Sequence, residues 1–294
     1  MNRFVTAICI VTTLAIAHSC TPLLNTKKEA FMTTTTQHYS DQVMAETNHS
    51  HHTHNNSHVD GTALTGAKLT TFSKISPNTP VSLQIEVQDS QGNAIAQFES
   101  FQEQVMHLIA VSDDLRVFQH LHPIYKGNGR FDVKAQFPQS GTYTLFSDYK
   151  PVGQPEQVSV LKTNVDGTSP SAAHIDWSRT KTFEQTIVDF APTQATVKAG
   201  EEVTLRFNLQ DATTRQPVTN LQPYLGEKGH LVILRQSPAL SRADYIHAHA
   251  VPNTPASQVH FATRFPQAGK YKLWGQFNRN GEIITADYWV DVIP

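Results

Sequence analysis

The most informative segment of this sequence is Phe137-Pro138-Gln139-Ser140-Gly141-Thr142-Tyr143-Thr144-Leu145-Phe146. It returns as Phe265-Pro266-Gln267-Ala268-Gly269-Lys270-Tyr271-Lys272-Leu273-Trp274, with six of ten positions identical. In both copies a tyrosine follows a glycine turn and begins an alternating run. In immunoglobulin-like sandwiches a tyrosine placed this way hydrogen-bonds backward and ties a corner of the chain. The two stretches therefore predict two such corners.

The similarity extends upstream, which indicates a repeated domain rather than a repeated turn. Four residues of the first copy have counterparts in the second: Val81, Leu83, Gln88 and Asp89 correspond to Val203, Leu205, Gln210 and Asp211. Val81 precedes His107 by 26 residues, and Val203 precedes His230 by 27. The registers agree to within one loop residue, so we interpret the chain as two copies of one domain.

Short strands separated by turns recur through both copies. Val81–Val87 and Phe131–Phe137 alternate apolar and polar residues, the pattern of a strand with one face on a core. Val105–Val111 is apolar almost throughout and predicts a strand buried on both faces. Helix signals are almost absent. The sequence predicts an all-β protein of two tandem immunoglobulin-like antiparallel β-sandwiches.

The first 19 residues predict a signal peptide. Arg3 precedes an apolar stretch, Phe4 to Ala17, that is too short to cross a bilayer, and small residues follow it. We therefore expect export to the periplasm or cell envelope. Cys20, directly after the expected cleavage site, raises the alternative of lipid anchoring, which would be the protein's sole attachment to a membrane. Simple secretion is the other alternative.

The remaining chain divides into four predicted segments. Residues 20–65 are polar and histidine-rich and cannot bury enough apolar surface to fold, so we expect disorder. Residues 66–162 form the first sandwich, 163–173 a linker rich in Gly, Ser, Thr and Pro, and 174–294 the second sandwich.

The polar segment carries five histidines within ten residues. They are His49, His51, His52, His54 and His58. Such tracts bind divalent metal through neutral imidazoles, although weakly when the chain is unstructured. A polar spacer is the alternative interpretation.

Each predicted sandwich also contains a pair of histidines separated by one residue. The pairs are His120 with His122 and His247 with His249. On a strand, residues two apart share a face, so each pair places both imidazoles on the same side. Ile246 and Ala248 lie on the opposite side and should face the core. We therefore expect the imidazoles to point away from the core, into a partly exposed site.

A third histidine precedes each pair: His107 in the first copy and His230 in the second, each opening an apolar run. If a neighbouring strand brings it alongside, three nitrogens converge. A thiol-free histidine set suits Cu(II) or, alternatively, Zn(II), and the stability order of divalent ions favours copper. Three histidines that each hydrogen-bond a carbonyl independently are the alternative.

The glycine-His-Leu strand beginning at Gly229, the Tyr245-Ile246-His247-Ala248-His249 strand and the corner Phe265–Tyr271 together resemble motifs of bacterial exported proteins. The pattern is similar to the YtkA-like group of immunoglobulin-like β-sandwich domains. The resemblance covers both copies. It implies the sandwich fold and an association with copper handling.

Composition excludes several other functions. The formal net charge is -2, which gives no electrostatic basis for nucleic-acid binding. Both cysteines, Cys9 and Cys20, precede the predicted domains, so neither a disulfide framework nor a thiolate site is expected there. No nucleophile motif or phosphate-binding loop appears, so we do not expect an enzyme.

The sequence therefore predicts a non-enzymatic, exported metal-binding protein. Copper binding or trafficking is the leading hypothesis, with another metal-handling protein of the envelope as a partner. The alternative is an adhesive or protein-interaction module of the envelope that binds no metal.

Overall fold

The computed structural model describes residues 65–171 and 174–294, all within one compact unit, residues 59–294. The predicted signal peptide, Cys20 and the five histidines at 49–58 lie outside these residues. In the part of the chain that is described, no helix is both long enough and apolar enough to span a membrane.

The first sandwich has nine strands. They are β1 (Thr65–Thr71), β2 (Pro80–Asp89), β3 (Phe98–Glu99), β4 (Met106–Ser112), β5 (Phe118–Leu121), β6 (Ile124–Gly127), β7 (Arg130–Gln136), β8 (Gly141–Pro151) and β9 (Gln157–Val165). One sheet has the order β1-β2-β7-β6. The other has the order β3-β8-β4-β5, with β9 also paired to β8. All named strand pairs of this sandwich are antiparallel.

The second sandwich repeats the arrangement. Its strands are β10 (Thr180–Phe183), β11 (Thr186–Pro192), β12 (Val197–Lys198), β13 (Glu202–Asp211), β14 (His230–Arg235), β15 (Tyr245–His249), β16 (Gln258–Arg264), β17 (Gly269–Arg279) and β18 (Glu282–Ile293). The sheets are β10-β11-β13-β16 and β12-β18-β17-β14-β15. Among the described residues, helical structure is limited to a 3-10 turn, Arg242–Asp244. The predicted fold class, two tandem β-sandwiches, is confirmed.

Each sandwich has its own core, and a third apolar cluster joins the two. Ile109 and Phe146 of the first sandwich lie in this third cluster with Val232 and Trp274 of the second. All four belong to the five-stranded sheets, so these two inner sheets pack face to face. The four-stranded sheets are on the outside. Since an inner sheet is covered on both faces, every residue of β4 is buried, as its apolar sequence predicted.

Both predicted tyrosine corners are present. The Tyr143 hydroxyl donates to the Gln139 carbonyl at 3.0 Å, and the Tyr271 hydroxyl donates to the Gln267 carbonyl at 2.8 Å. Both rings are buried, and each packs edge-on against the phenylalanine that begins its motif. In both copies, the repeated motif therefore connects a strand of the four-stranded sheet (β7 or β16) to a strand of the five-stranded sheet (β8 or β17).

The first sandwich extends one residue earlier and three residues later than the sequence indicated. Thr65, placed at the end of the polar segment, pairs with Asp89 and hydrogen-bonds the Tyr149 hydroxyl at 3.0 Å. Strand β9 continues to Val165, inside the expected linker, because Val165 is buried in the core and pairs with Gly141. Residues 163–165, which their composition predicted to be part of the linker, are therefore held in β9 by packing in the core and by pairing with β8.

Candidate metal centre

Side-chain alternation places the paired histidines as their spacing predicted. On β15, Ile246 and Ala248 join the core of the second sandwich, and Tyr245, on the other face, joins the apolar cluster between the sandwiches. His247 and His249 share that outer face. In the first sandwich Leu121 packs against the core while Phe118 faces the other sandwich. His120 and His122 have the parity of Phe118 and point the same way.

Strand pairing brings the third histidine to each pair. In the second sandwich β14 pairs antiparallel with β15, so His230 lies opposite His249 and Val232 opposite His247. In the first sandwich β4 pairs with β5, with Ile109 opposite His120. The same register continued by two residues sets His107 beside His122, and their ring centroids are 5.3 Å apart.

The six histidines meet in one place because the inner sheets face each other. We call His107, His120, His122, His230, His247 and His249 the histidine cluster. Across the interface the ring of His107 lies 6.2 Å from that of His230 and 5.9 Å from that of His247. His120 lies 5.9 Å from His230.

The expected partly exposed site is present in part, since His120, His122 and His249 are half-buried. The other rings are covered, because the other sandwich packs on the face turned away from each core. His107 is 0% and His230 1% exposed, and the side chain of His247 is 4% exposed. Sequence parity located the correct face, but the second sheet that covers it was not visible in either copy alone.

The trio of the first sandwich converges most closely. One ring nitrogen from each of His107, His120 and His122 can be chosen so that all three lie within 4.8 Å of one another. His107 Nδ1 is 3.0 Å from His120 Nε2. Among the described residues, His122 Nε2 is buried without a hydrogen-bond partner. These nitrogens are therefore available to a shared ligand.

The outer partners of two of these rings fix where their protons lie. His107 Nε2 is 3.2 Å from the Phe101 carbonyl, and His120 Nδ1 is 2.8 Å from Gln276 Oε1. A carbonyl oxygen can only accept, so with the Gln276 amide oxygen turned towards His120 each of these nitrogens carries the ring proton and donates. His107 Nδ1 and His120 Nε2 then have only lone pairs, and those lone pairs face each other at 3.0 Å.

Protonation of His107 or His120 does not remove this repulsion between the two lone pairs. Burial lowers the pKa of His107 to about 3, and the neighbouring His247 lowers it further because two nearby positive charges repel. Burial also lowers the pKa of His120 well below its usual value. Both rings are neutral at physiological pH, which is the state in which imidazole binds metal.

The second sandwich has a matching pair of rings. His247 Nε2 lies 3.5 Å from His230 Nδ1, while His247 Nδ1 lies 3.2 Å from Asp148 Oδ2 of the first sandwich. Burial lowers the pKa of His230 to about 3. His249 stacks on His247 at 5.3 Å and contacts the side-chain amide of Gln102 of the first sandwich. The second trio is thus in the cluster but is held by different neighbours from the first.

Asp148 and Gln276 are the functional residues that sequence reasoning missed. Their backbones lie opposite His107 and His230 in the two repeats. Each contacts a histidine of the other sandwich, since Gln276 contacts His120 and Asp148 contacts His247. The available signal was a polar residue seven positions after the corner glycine, present in both copies.

A second group of ligand atoms lies beside the first. We call Asp148, Glu156 and His247 the carboxylate cluster; one ligand atom from each lies within 4.8 Å of the others. Asp148 is 0% exposed, and burial raises the pKa of its carboxyl to about 7. His247 belongs to both clusters, offering Nε2 to one and Nδ1 to the other.

The histidine cluster fits a metal ion by distance and by donor type. Two nitrogens each about 2.0–2.1 Å from a tetrahedral zinc lie ~3.3 Å apart. The two nitrogen pairs of the cluster are separated by 3.0 and 3.5 Å. Metal-bound histidines donate their other ring N–H to a carboxylate or carbonyl, as His107, His120 and His247 do here.

A family model described as "Domain of unknown function (DUF8832)" matches the chain twice, at residues 57–166 and 182–293. The chain belongs to the DUF8832 family. The two DUF8832 matches coincide with the two sandwiches, so the family unit is one sandwich and this chain carries two. No curated protein matches the sequence.

Solved structures similar to this DUF8832 chain include FdeC, titled a broadly conserved Escherichia coli adhesin. It is 15% identical, with 78% of this chain and 64% of that chain covered and a TM-score of 0.26. Trypsin-activated alpha-2-macroglobulin from Escherichia coli is 11% identical, with 79% and 16% covered and a TM-score of 0.27. The chain therefore spans less than two thirds of either structure. TM-scores this low support no inference about function.

Proposed function

We propose that this protein binds a divalent transition-metal ion in the histidine cluster between its two sandwiches. One observation carries the proposal: His107 Nδ1 and His120 Nε2 face each other at 3.0 Å with both ring protons engaged elsewhere. Two lone pairs at that separation repel each other. A cation between them turns the repulsion into coordination.

The donor set indicates which ions fit. Imidazole nitrogen suits copper and zinc, and no cysteine lies among the described residues to favour softer ions. At equal availability the divalent stability order places copper above zinc. We therefore propose Cu(II) as the principal ion and Zn(II) as the alternative, in agreement with the resemblance to YtkA-like proteins.

The proposal is binding and transfer rather than catalysis. The cluster lies between two packed sheets, whereas a hydrolytic metal site needs a substrate cleft that opens onto the ion. Together with the predicted leader, this supports an exported metal-binding protein of the periplasm or cell envelope. Its partners would be the ion and another envelope protein that supplies or receives it.

Calorimetric titration of the full chain with Cu(II) and then Zn(II) tests the proposal. Because the histidines at 49–58 can also bind metal, all five are replaced by serine in every protein compared. His107→Ala combined with His120→Ala should remove at least one bound ion per chain. His260→Ala is the matched control, since His260 lies on β16 of an outer sheet and hydrogen-bonds Gln258.

Equal binding in the double variant and the control would overturn the proposal. Thermal unfolding provides a second measurement, because a ligand that binds only the native state raises the melting temperature. A free ion concentration of 100 times Kd stabilises the folded protein by ~2.7 kcal/mol. The alternative of a metal-free envelope interaction module predicts no shift in melting temperature with either ion.

A further inference from the structure

The carboxylate cluster has features that remain unexplained if Asp148 only orients the ring of His247. If Asp148 served only to orient His247, one oxygen would suffice, and Oδ2 makes that contact at 3.2 Å. Its other oxygen, Oδ1, is buried and, among the described residues, has no hydrogen-bond partner. An unpaired buried carboxylate oxygen is costly and so calls for a partner.

A second carboxylate next to the first increases that cost. Glu156, one residue before β9, brings a carboxylate oxygen within 4.8 Å of ligand atoms of both Asp148 and His247. Two carboxylates this close repel each other unless a proton or a cation lies between them. Glu156 hydrogen-bonds Asp148, so a proton lies between the two carboxyls, and Arg242 attracts the Asp148 carboxylate. A divalent ion bound there would take the place of that proton, which would leave to solvent.

We propose that Asp148, Glu156 and His247 form a second metal site, next to the histidine site and distinct from it in ligand type. The ligands are two carboxylate oxygens and one imidazole nitrogen, a set that suits Zn(II) or Cu(II). The site spans both sandwiches, because Asp148 and Glu156 come from the first and His247 from the second.

His247 links the two sites through its ring. Nε2 faces His230 in the histidine cluster and Nδ1 faces the carboxylates. A second ion held at Nδ1 would take the place of the ring proton there, which would leave to solvent, and His247 would then be a ligand shared by the two sites. This sharing rests on the proposed function, whereas the carboxylate site can fill alone. The protein thus holds a pair of ions rather than one.

This inference is tested by measuring how many Cu(II) ions the full chain binds when the five histidines at 49–58 are replaced by serine. The parent protein should bind two Cu(II) ions, with a reduced electron paramagnetic resonance signal because the two spins couple through the shared ring. Asp148→Asn combined with Glu156→Gln keeps the side-chain shapes and should bind one Cu(II) ion with an undiminished signal. His107→Asn should also lower the stoichiometry, by emptying the other site.

Each outcome is decisive. One ion in both the parent and the Asp148/Glu156 double variant would overturn the second site while the histidine site stands. No bound ion in the parent would overturn the proposed function as well. If burial of Asp148 prevents the double variant from folding, Glu156→Gln alone provides the test, since Glu156 is only half-buried. A Glu156→Gln protein that retains two tightly bound, coupled ions would also overturn the inference.

Discussion

Gln276 of the second sandwich accepts a hydrogen bond from His120 of the first, with 2.8 Å between Oε1 and Nδ1. Asp148 of the first sandwich makes the equivalent contact with His247 of the second. Two aromatic stacks repeat the pattern. Phe118 stacks on Trp274, and the structurally equivalent residues Tyr245 and Phe146 stack on each other. The interface therefore makes each contact twice, as an isologous dimer does.

Replacing Gln276 should weaken metal binding without removing a ligand. In Gln276→Leu the proton on His120 Nδ1 loses its acceptor, so the ring no longer holds Nε2 towards the ion. Loss of such an outer partner typically costs about 10–100-fold in metal affinity. The unpaired buried donor should also cost ~1–3 kcal/mol in unfolding free energy. Calorimetric titration with Cu(II) and urea denaturation measure the two effects.

Gln91→Leu is the matched control for Gln276→Leu, since Gln91 lies exposed in the turn after β2. It should leave Cu(II) affinity within twofold of the parent. Unchanged Cu(II) affinity in Gln276→Leu would show that this hydrogen bond does not orient His120.

The metal-free protein should lose stability as the pH falls. Burial lowers the pKa of His107 to about 3, so between its unfolded value and that pH the unfolded chain binds a proton that the folded chain does not. The His107 contribution to stability is then fully present above pH ~6.5 and declines by about 1.4 kcal/mol per pH unit below it. His120 and His230 act in the same direction, and Asp148, whose pKa burial raises, acts in the opposite one. Urea denaturation at pH 7, 6 and 5 with a chelator present measures the decline.

The variant His107→Gln should reduce that slope by the His107 contribution, because glutamine keeps a donor but does not titrate, while His120 and His230, whose pKa values burial also lowers, keep the rest of the slope. The exposed control Gln91→Leu should leave the slope unchanged. A slope that is the same in the parent and in His107→Gln would show that His107 is not held neutral by the fold.

The aromatic stack between the sandwiches should contribute strongly to stability. Trp274 is 3% exposed, and its ring lies 4.9 Å from that of Phe118. Trp274→Ala leaves a cavity between the inner sheets and should cost ~3–5 kcal/mol in unfolding free energy. Because the same sheets hold the histidines, Cu(II) affinity should fall as well. Calorimetric unfolding and titration measure these effects.

Trp177→Ala is the control for this substitution. Trp177 is 43% exposed, and a surface change of this kind usually alters stability by no more than about 0.5 kcal/mol. Similar losses from the two tryptophan substitutions would contradict a central role for the contact between the sandwiches.

The two tyrosine corners should contribute equally. Tyr143→Phe and Tyr271→Phe each remove one hydroxyl that donates to a backbone carbonyl four residues earlier. Each should cost ~1 kcal/mol, and the double variant should cost about the sum because the corners belong to separate cores. Urea denaturation of all three variants checks the additivity. If one single variant has the same unfolding free energy as the parent, the hydrogen bond of that tyrosine contributes no more than hydrogen bonds to water would.

Local pattern was sufficient to predict each sandwich. Alternation along Val81–Val87 located β2, and the repeated glycine and tyrosine located both corners. The spacing of His247 and His249 placed both rings on one face of β15, opposite Ile246 and Ala248. These features depend on the two-residue period of a strand, which sequence contains directly.

The roles of Asp148 and Gln276 were not predictable in the same way. A buried polar side chain needs a hydrogen-bond partner, but the partner here is more than 90 residues away. Nothing in the local pattern distinguishes a solvent-facing histidine from one covered by another domain. Burial of His107 and His230 therefore had to be read from the packing.

Periodicity and turn chemistry act over a few residues, so the amino-acid pattern was enough to predict the two β-sandwiches, their corners and the faces on which the six histidines lie. Whether the two faces meet depends on how the sandwiches pack. That meeting depends on apolar contacts such as Phe118 with Trp274, which join residues far apart in the chain. It turns two separate trios into one cluster, buries His107 and His230, and brings Asp148 and Glu156 of one sandwich to His247 of the other.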